Sequence, residues 1–167
     1  MGTSGFGTPG GNPTAMVEQK LRAEQVVRNG AGWFLAIAGL SILNSVLTLS
    51  GTNFHFIFGL GVTAIVDAIG HESGSTGSVL SLVVNLFIAG VFLLFWNFAR
   101  RGEKWAFLVG MGLYAVDALI LIPFKDLLSV AFHAYALFRI YSGMQGVPIL
   151  EELRRRTMGE NAPIEPR

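Results

Sequence analysis

Apolar positions along this 167-residue chain gather into four long runs, 31–50, 78–99, 104–122 and 126–141, and one shorter run, 54–70. A helix needs about 20 consecutive apolar residues to cross a bilayer, so the pattern predicts transmembrane helices. Trp33, Trp96 and Trp105 stand near run ends, where amphipathic rings anchor at the membrane interface. Arg100 and Arg101 close the second long run, Pro123 stops the third, and Gly143 follows the fourth. Ahead of the first run, 14–30 predicts a juxtamembrane helix with Thr14 as cap and Gly30 as stop. Its apolar positions (Met16, Val17, Leu21, Val26 and Val27) are scattered, which fits a solvated helix, with a membrane-surface helix using Lys20, Arg22 and Arg28 as the alternative. Residues 1–13 are rich in Gly, Pro, Ser and Thr and predict a disordered tail. Residues 144–167 form a C-terminal tail containing the helical stretch EELRRR.

Composition sharpens the membrane assignment. The chain is 51% hydrophobic and 14% charged, against about 25% charged for a soluble domain. The deficit is segregated: between 31 and 99 the acids are Asp67 and Glu72, and Lys and Arg are absent. A net charge of +1 offers no electrostatic case for nucleic acid. Without cysteine there is no disulfide and no thiol catalysis. The first 30 residues lack an apolar signal-peptide core, so the first run is expected to direct its own insertion.

The short run decides the topology. It contains Gly59, Gly61 and Asp67, and at about 17 residues it sits at the lower limit for crossing. If it does not cross, both termini share one side with Lys20, Arg22, Arg28, Arg100, Arg101, Lys104, Arg154, Arg155, Arg156 and Arg167. Lys125 alone then lies opposite, and Arg139 sits near the inner end of the last run, in agreement with the positive-inside rule. The expected fold is therefore an all-α membrane protein with four transmembrane helices plus one short re-entrant or interfacial helix. Five transmembrane helices is the alternative. It draws support from a weak internal similarity between GLSILNSVLTL at 39–49 and GLYAVDALILI at 112–122. The link 71–78, HESGSTGS, reads as a loop.

Each long run carries one polar group away from its ends: Asn44, Asn85, Asp117 and His133. At 1.5 Å of rise per residue these lie about 9 to 12 Å below the outer ends of their runs, forming an intramembrane polar layer. Two explanations compete. Amide, carboxyl and imidazole groups on facing helices satisfy one another as interhelical glue, and Ser41, Asn44, Ser45 and Thr48 form a small polar face suited to close packing. Alternatively, Asp117 and His133 are the ionisable pair of a proton relay or polar pocket. Other constellations carry less. Asp67 and His71 share a helical face if their segment is helical, but three histidines without zinc spacing make no metal site. Asp126, Ser129 and His133 share a face without an oxyanion hole, so no catalytic residue is expected. Gly59-Leu60-Gly61 lacks the remaining glycine and preceding strand of a dinucleotide fingerprint. Arg154, Arg155 and Arg156 read as a topological anchor with contacts to anionic lipid headgroups.

Trp33-Phe34, GLS at 39–41 with Asn44, FGLGVT at 58–63 before Asp67, KWAFLVGMGLYAVDALILI from Lys104 and AFHAYALFRIY from Ala131 together resemble a group of small, uncharacterised bacterial integral membrane proteins. The likeness spans 31–143 and implies a bacterial membrane bundle with no assigned activity, substrate or catalytic residue. The sequence thus predicts a protein of the cytoplasmic membrane with both termini cytoplasmic, non-enzymatic and structural or accessory in role, without a cofactor. Lipids, a second copy of the chain or another membrane protein would be its partners. The competing function is a small proton- or ion-linked channel or transporter.

Overall fold

A computed structural model of the chain describes residues 13–50, 66, 74–124 and 127–160. The expectations for the N-terminal tail up to residue 12, for the run 54–70 with its Asp67/His71 pair, and for Lys125, Asp126 and Arg167 lie outside the described residues. Among the described residues all regular structure is helical: α1 (Pro13–Leu49), α2 (Gly74–Ala99), α3 (Lys104–Leu121), a 3-10 turn (Ile122–Phe124), α4 (Leu127–Met144) and α5 (Gly146–Glu160).

Helices α1 to α4 form a ring in which each packs on two neighbours, α1 on α2, α2 on α3, α3 on α4 and α4 on α1. The contacts along each seam run in opposite directions, so all neighbours are antiparallel. On α1 and α2, Ser45 meets Asn85 while Phe34 meets Phe92 and Phe95. On α2 and α3, Phe92 meets Tyr114 while Phe98 meets Trp105. The α2–α3 turn is tight because Gly102 adopts φ 88°, a left-handed conformation that a side chain would strain.

Among the described residues, three helices are long and apolar enough to cross a membrane: Thr14–Leu47 within α1, Val79–Ala99 within α2 and Lys104–Leu121, which is α3. Helix α4, expected as the last crossing, is not among them. It has 18 residues and carries Ser129, His133, Tyr135, Arg139 and Tyr141, which dilute its apolar character.

Two boundaries differ from expectation. The helix predicted to stop at Gly30 runs on as a single 37-residue α1, about 55 Å long. The reason is a continuous buried stripe (Ala23, Val27, Gly30, Phe34, Ile37, Ser41 and Ser45) with three-and-four spacing that passes through Gly30 without a break. A Cβ at Gly30 would overlap the Gly143 Cα, so these two glycines let the α1 and α4 backbones touch. Gly30 is a crossing point, not a cap. The second boundary is the loop expected at 71–78, since α2 begins at Gly74. Its weak helix formers are carried by the long, packed helix that follows.

The C-terminal tail opens with α5, which folds along the first half of α1. Gly146 lies against Val27 and Ala23, and Val147, Leu150 and Leu153 are buried. Leu150 also reaches the Gly102 turn. The buried stripe of α4 (Ser129, His133, Ala136, Ile140, Gly143) continues into α5 at Val147 and Leu150 with the same spacing. Past the turn at Gln145, α5 therefore keeps facing α1. The molecule is a four-helix ring extended at one end by the α1–α5 pair.

In the ring's interior, Phe34 lies 6.0 to 6.3 Å from the rings of Phe92, Phe95 and Phe107. Gly110 makes room for it, since a Cβ there would sit 2.6 Å from Phe34 Cε1. In a bilayer such packing acts through dispersion and shape rather than apolar burial, because lipid tails are as apolar as the core.

Candidate functional site

The buried stripes of α3 and α4 bring Asp117 and His133 together toward the end of the ring where α1 ends and α2 begins. His133 is fully buried and Asp117 is 4% exposed. His133 Nε2 lies 2.9 Å from Asp117 Oδ2, and His133 Nδ1 lies 2.7 Å from the Ser129 carbonyl oxygen one turn earlier on α4. Tyr114, one turn before Asp117 on α3 and fully buried, stacks on the imidazole with ring centroids 4.4 Å apart and planes 17° from parallel.

These contacts fix the hydrogens. A carbonyl oxygen only accepts, so Nδ1 carries hydrogen and donates to Ser129. At 2.9 Å, Nε2 and Oδ2 require one hydrogen between them. The pair is then either carboxylic acid with neutral imidazole or carboxylate with imidazolium. Both forms are neutral overall, which limits the cost of burying two ionisable groups.

The second polar contact lies on the opposite seam. Asn85 Nδ2 donates to Ser45 Oγ at 2.8 Å, joining α2 to α1. Both residues are buried, as is Ser41, whose hydroxyl donates to the Ile37 carbonyl at 2.9 Å. Of the four residues expected to form one layer, Asp117 and His133 are in direct contact, and Asn85 pairs with Ser45. Asn44 is half-buried on α1. The two pairs are also staggered. Asn85 is two turns along α2 from Phe92, which touches Tyr114, whereas Asp117 is one turn along α3 from that same Tyr114. The offset is about one turn, on the order of 5 Å.

Asp117 faces more than His133. It forms part of the wall of a cleft of about 290 Å³ between α2 and α3, otherwise apolar and lined by Phe87, Ile88, Val91, Phe92, Leu113, Val116 and Ile120. Phe87, Leu113 and Val116 are exposed on the outer surface of the ring, so the cleft opens sideways.

At the opposite end, basic residues from several elements collect. Arg100 lies over the Trp96 ring at 4.6 Å and Arg101 over Phe98 at 5.8 Å. On α5, Arg156 donates to Glu152 at 2.9 Å, and this hydrogen bond and charge hold the Glu152 carboxyl below its usual range. Arg154 lines a small pocket with Lys20 of α1, Leu153 and Thr157. Arg154, Arg155 and Arg156 are all exposed. Among the described residues, no three His, Asp or Glu side chains group as a metal site.

Sequence reasoning marked Asp117, His133 and Asn85, but not what organises them. Ser45 stood on the small polar face of α1 and differs from Asn44 by one residue, which is 100° of helix rotation. Its place in the buried three-and-four stripe was the signal. The Ser129 carbonyl leaves no sequence signal, because every residue has one.

No protein-family model matches the chain, and neither does any curated protein or solved structure.

Proposed function

We propose that the chain is a multi-pass protein of the bacterial cytoplasmic membrane, related to the small membrane proteins its apolar blocks resemble. Its role is structural or accessory and non-enzymatic. The observation that carries this reading is the placement of the two polar pairs. Asn85–Ser45 ties α1 to α2 and His133–Asp117 ties α3 to α4, so opposite seams of one ring are each held by a hydrogen bond.

The antiparallel ring also supports four crossings. The end of α1 and the start of α2 lie at one end of the bundle, so the chain between them leaves and returns on the same side. The other end gathers the start of α1, the α2–α3 turn and α5. Lys20, Arg22, Arg28, Arg100, Arg101, Lys104 and Arg154 to Arg156 belong to these elements, as expected of a cytoplasmic face. Lys20 and Arg154 converge from two helices, which favours contact with anionic lipid headgroups. The outward apolar side chains of α2, including Val79, Leu80, Val83, Phe87 and Leu94, would face lipid, a second copy or a partner helix.

Thermal unfolding of the purified protein in detergent tests the structural role of the pairs. Asp117→Ala and His133→Ala each remove the buried hydrogen bond across the α3–α4 seam and should lower stability by about 1–3 kcal/mol. Alanine variants as stable as the parent, together with loss of a proton flux into proteoliposomes, would replace this reading with that of a proton-linked transporter.

A further inference from the structure

We infer that the cleft between α2 and α3 is a binding site for a cationic amphiphile, and that each cation bound there displaces the proton shared by Asp117 and His133. The inference rests on α2 and α3 lying in the bilayer, which cysteine labelling tests independently of any ligand.

Three observations meet in the cleft. Its walls are apolar, as suits a ligand arriving from the hydrocarbon region, and the exposed Phe87 is one of the side chains that line it. Its charged chemistry comes from Asp117, a carboxyl at membrane depth. That carboxyl is also one side of the 2.9 Å contact that must contain a hydrogen. A volume of about 290 Å³ suits a head group and the first part of a chain, just below the roughly 300 Å³ at which pockets for whole small ligands begin. The rest of the tail would lie in lipid beyond Leu113 and Val116.

The charge balance specifies the coupling. Before binding, the pair holds one bridging hydrogen and is neutral. A quaternary ammonium adds one positive charge, which is costly in a low-dielectric site unless compensated. Release of the bridging proton to solvent leaves Asp117 as carboxylate beside the cation and His133 neutral, with its Nδ1 hydrogen still on Ser129. The site is neutral again, with one cation in and one proton out. Among the described residues, few other titratable groups lie near the pair. Tyr114 of α3 stacks on the imidazole, and the ring portions of α1 and α2, 31–49 and 74–99, contribute no Asp, Glu, Lys, Arg, His or Tyr.

The test uses the full chain in lipid nanodiscs with dodecyltrimethylammonium, whose charge does not change with pH. Dodecanol and empty nanodiscs are the controls. Calorimetry in buffers of different ionisation enthalpy should show one proton released per cation bound, and apparent affinity should rise about tenfold per pH unit while the pair retains its proton. Asp117→Asn, whose amide can still donate to Nε2, should abolish proton release and the pH dependence. Val116→Phe, which fills the cleft mouth from an exposed position, should weaken binding at least tenfold while leaving the Asp117–His133 contact in place. Binding equal to that of empty nanodiscs, equal binding of dodecanol, or proton release unchanged in Asp117→Asn would each overturn the inference. If Asp117→Asn does not fold, the Val116→Phe result and the proton count on the parent still decide it.

Discussion

At the residue scale, the two hydrogen bonds of the His133 ring determine what substitutions at Asp117 do. The Ser129 carbonyl holds hydrogen on Nδ1, so Nε2 needs a donor or a shared proton opposite it. Asparagine supplies an N–H and should leave the unfolding midpoint close to that of the parent, whereas alanine should lower it. Equal losses for both would mean that charge, not hydrogen bonding, holds the α3–α4 seam. Ser45→Ala removes the acceptor of Asn85 Nδ2 and should cost about 1 kcal/mol, read in the same unfolding assay. The polar residues themselves were legible in the sequence, because a carboxyl, an imidazole and two amides stand out in apolar runs. Their partners were less so. A hydroxyl such as Ser45 is common in membrane helices, and a one-residue error on a helix turns the side chain by 100°.

At the element scale, the lesson lies in Gly30. Glycine near the start of an apolar run reads as a helix stop, and local propensity supports that reading. The competing signal was the spacing of Ala23, Val27, Gly30, Phe34 and Ile37, which continues one face across the boundary. At Gly30 that face meets Gly143, more than a hundred residues away, so propensity lost to a tertiary contact. Two neighbouring glycines make the test internal. Gly30→Ala forces the α1 and α4 backbones apart and should cost at least about 1–3 kcal/mol. Gly32→Ala, with nothing within 4 Å of the added Cβ, should be neutral or slightly stabilising through helix propensity. Thermal scans of the two variants side by side check this contrast. If Gly32→Ala were the more damaging, the close crossing would be placed wrongly. Because Gly30 and Gly143 share one contact, their double alanine variant should cost less than the sum of the single variants. Helix α4 teaches the converse. Its apolar run was visible, but its buried polar stripe and Arg139 keep it outside the helices that composition alone assigns to a membrane.

At the scale of the whole molecule, the helical, apolar class was legible because Lys and Arg are absent from 31–99 and gather at run ends. The arrangement was partly legible. Basic residues favoured an even number of crossings, and those that are described belong to elements that meet at one end of the antiparallel ring. The α1–α5 extension was not foreseen, since α5 read as part of a tail. Its apolar positions Val147, Leu150 and Leu153 are few, and they gain a partner only once α1 is seen to run on below the ring. The central claim is that the ring spans the membrane with the chain between α1 and α2 beginning and ending on the outer side. The chain has no cysteine of its own, so single cysteines introduced at Ser4, Thr52 and Ser75 report sidedness without background. In intact cells a membrane-impermeant maleimide should label Thr52→Cys and Ser75→Cys and should leave Ser4→Cys unlabelled until the cells are opened. Labelling of Ser4→Cys from outside, or of only one of the other two, would contradict the four-crossing arrangement.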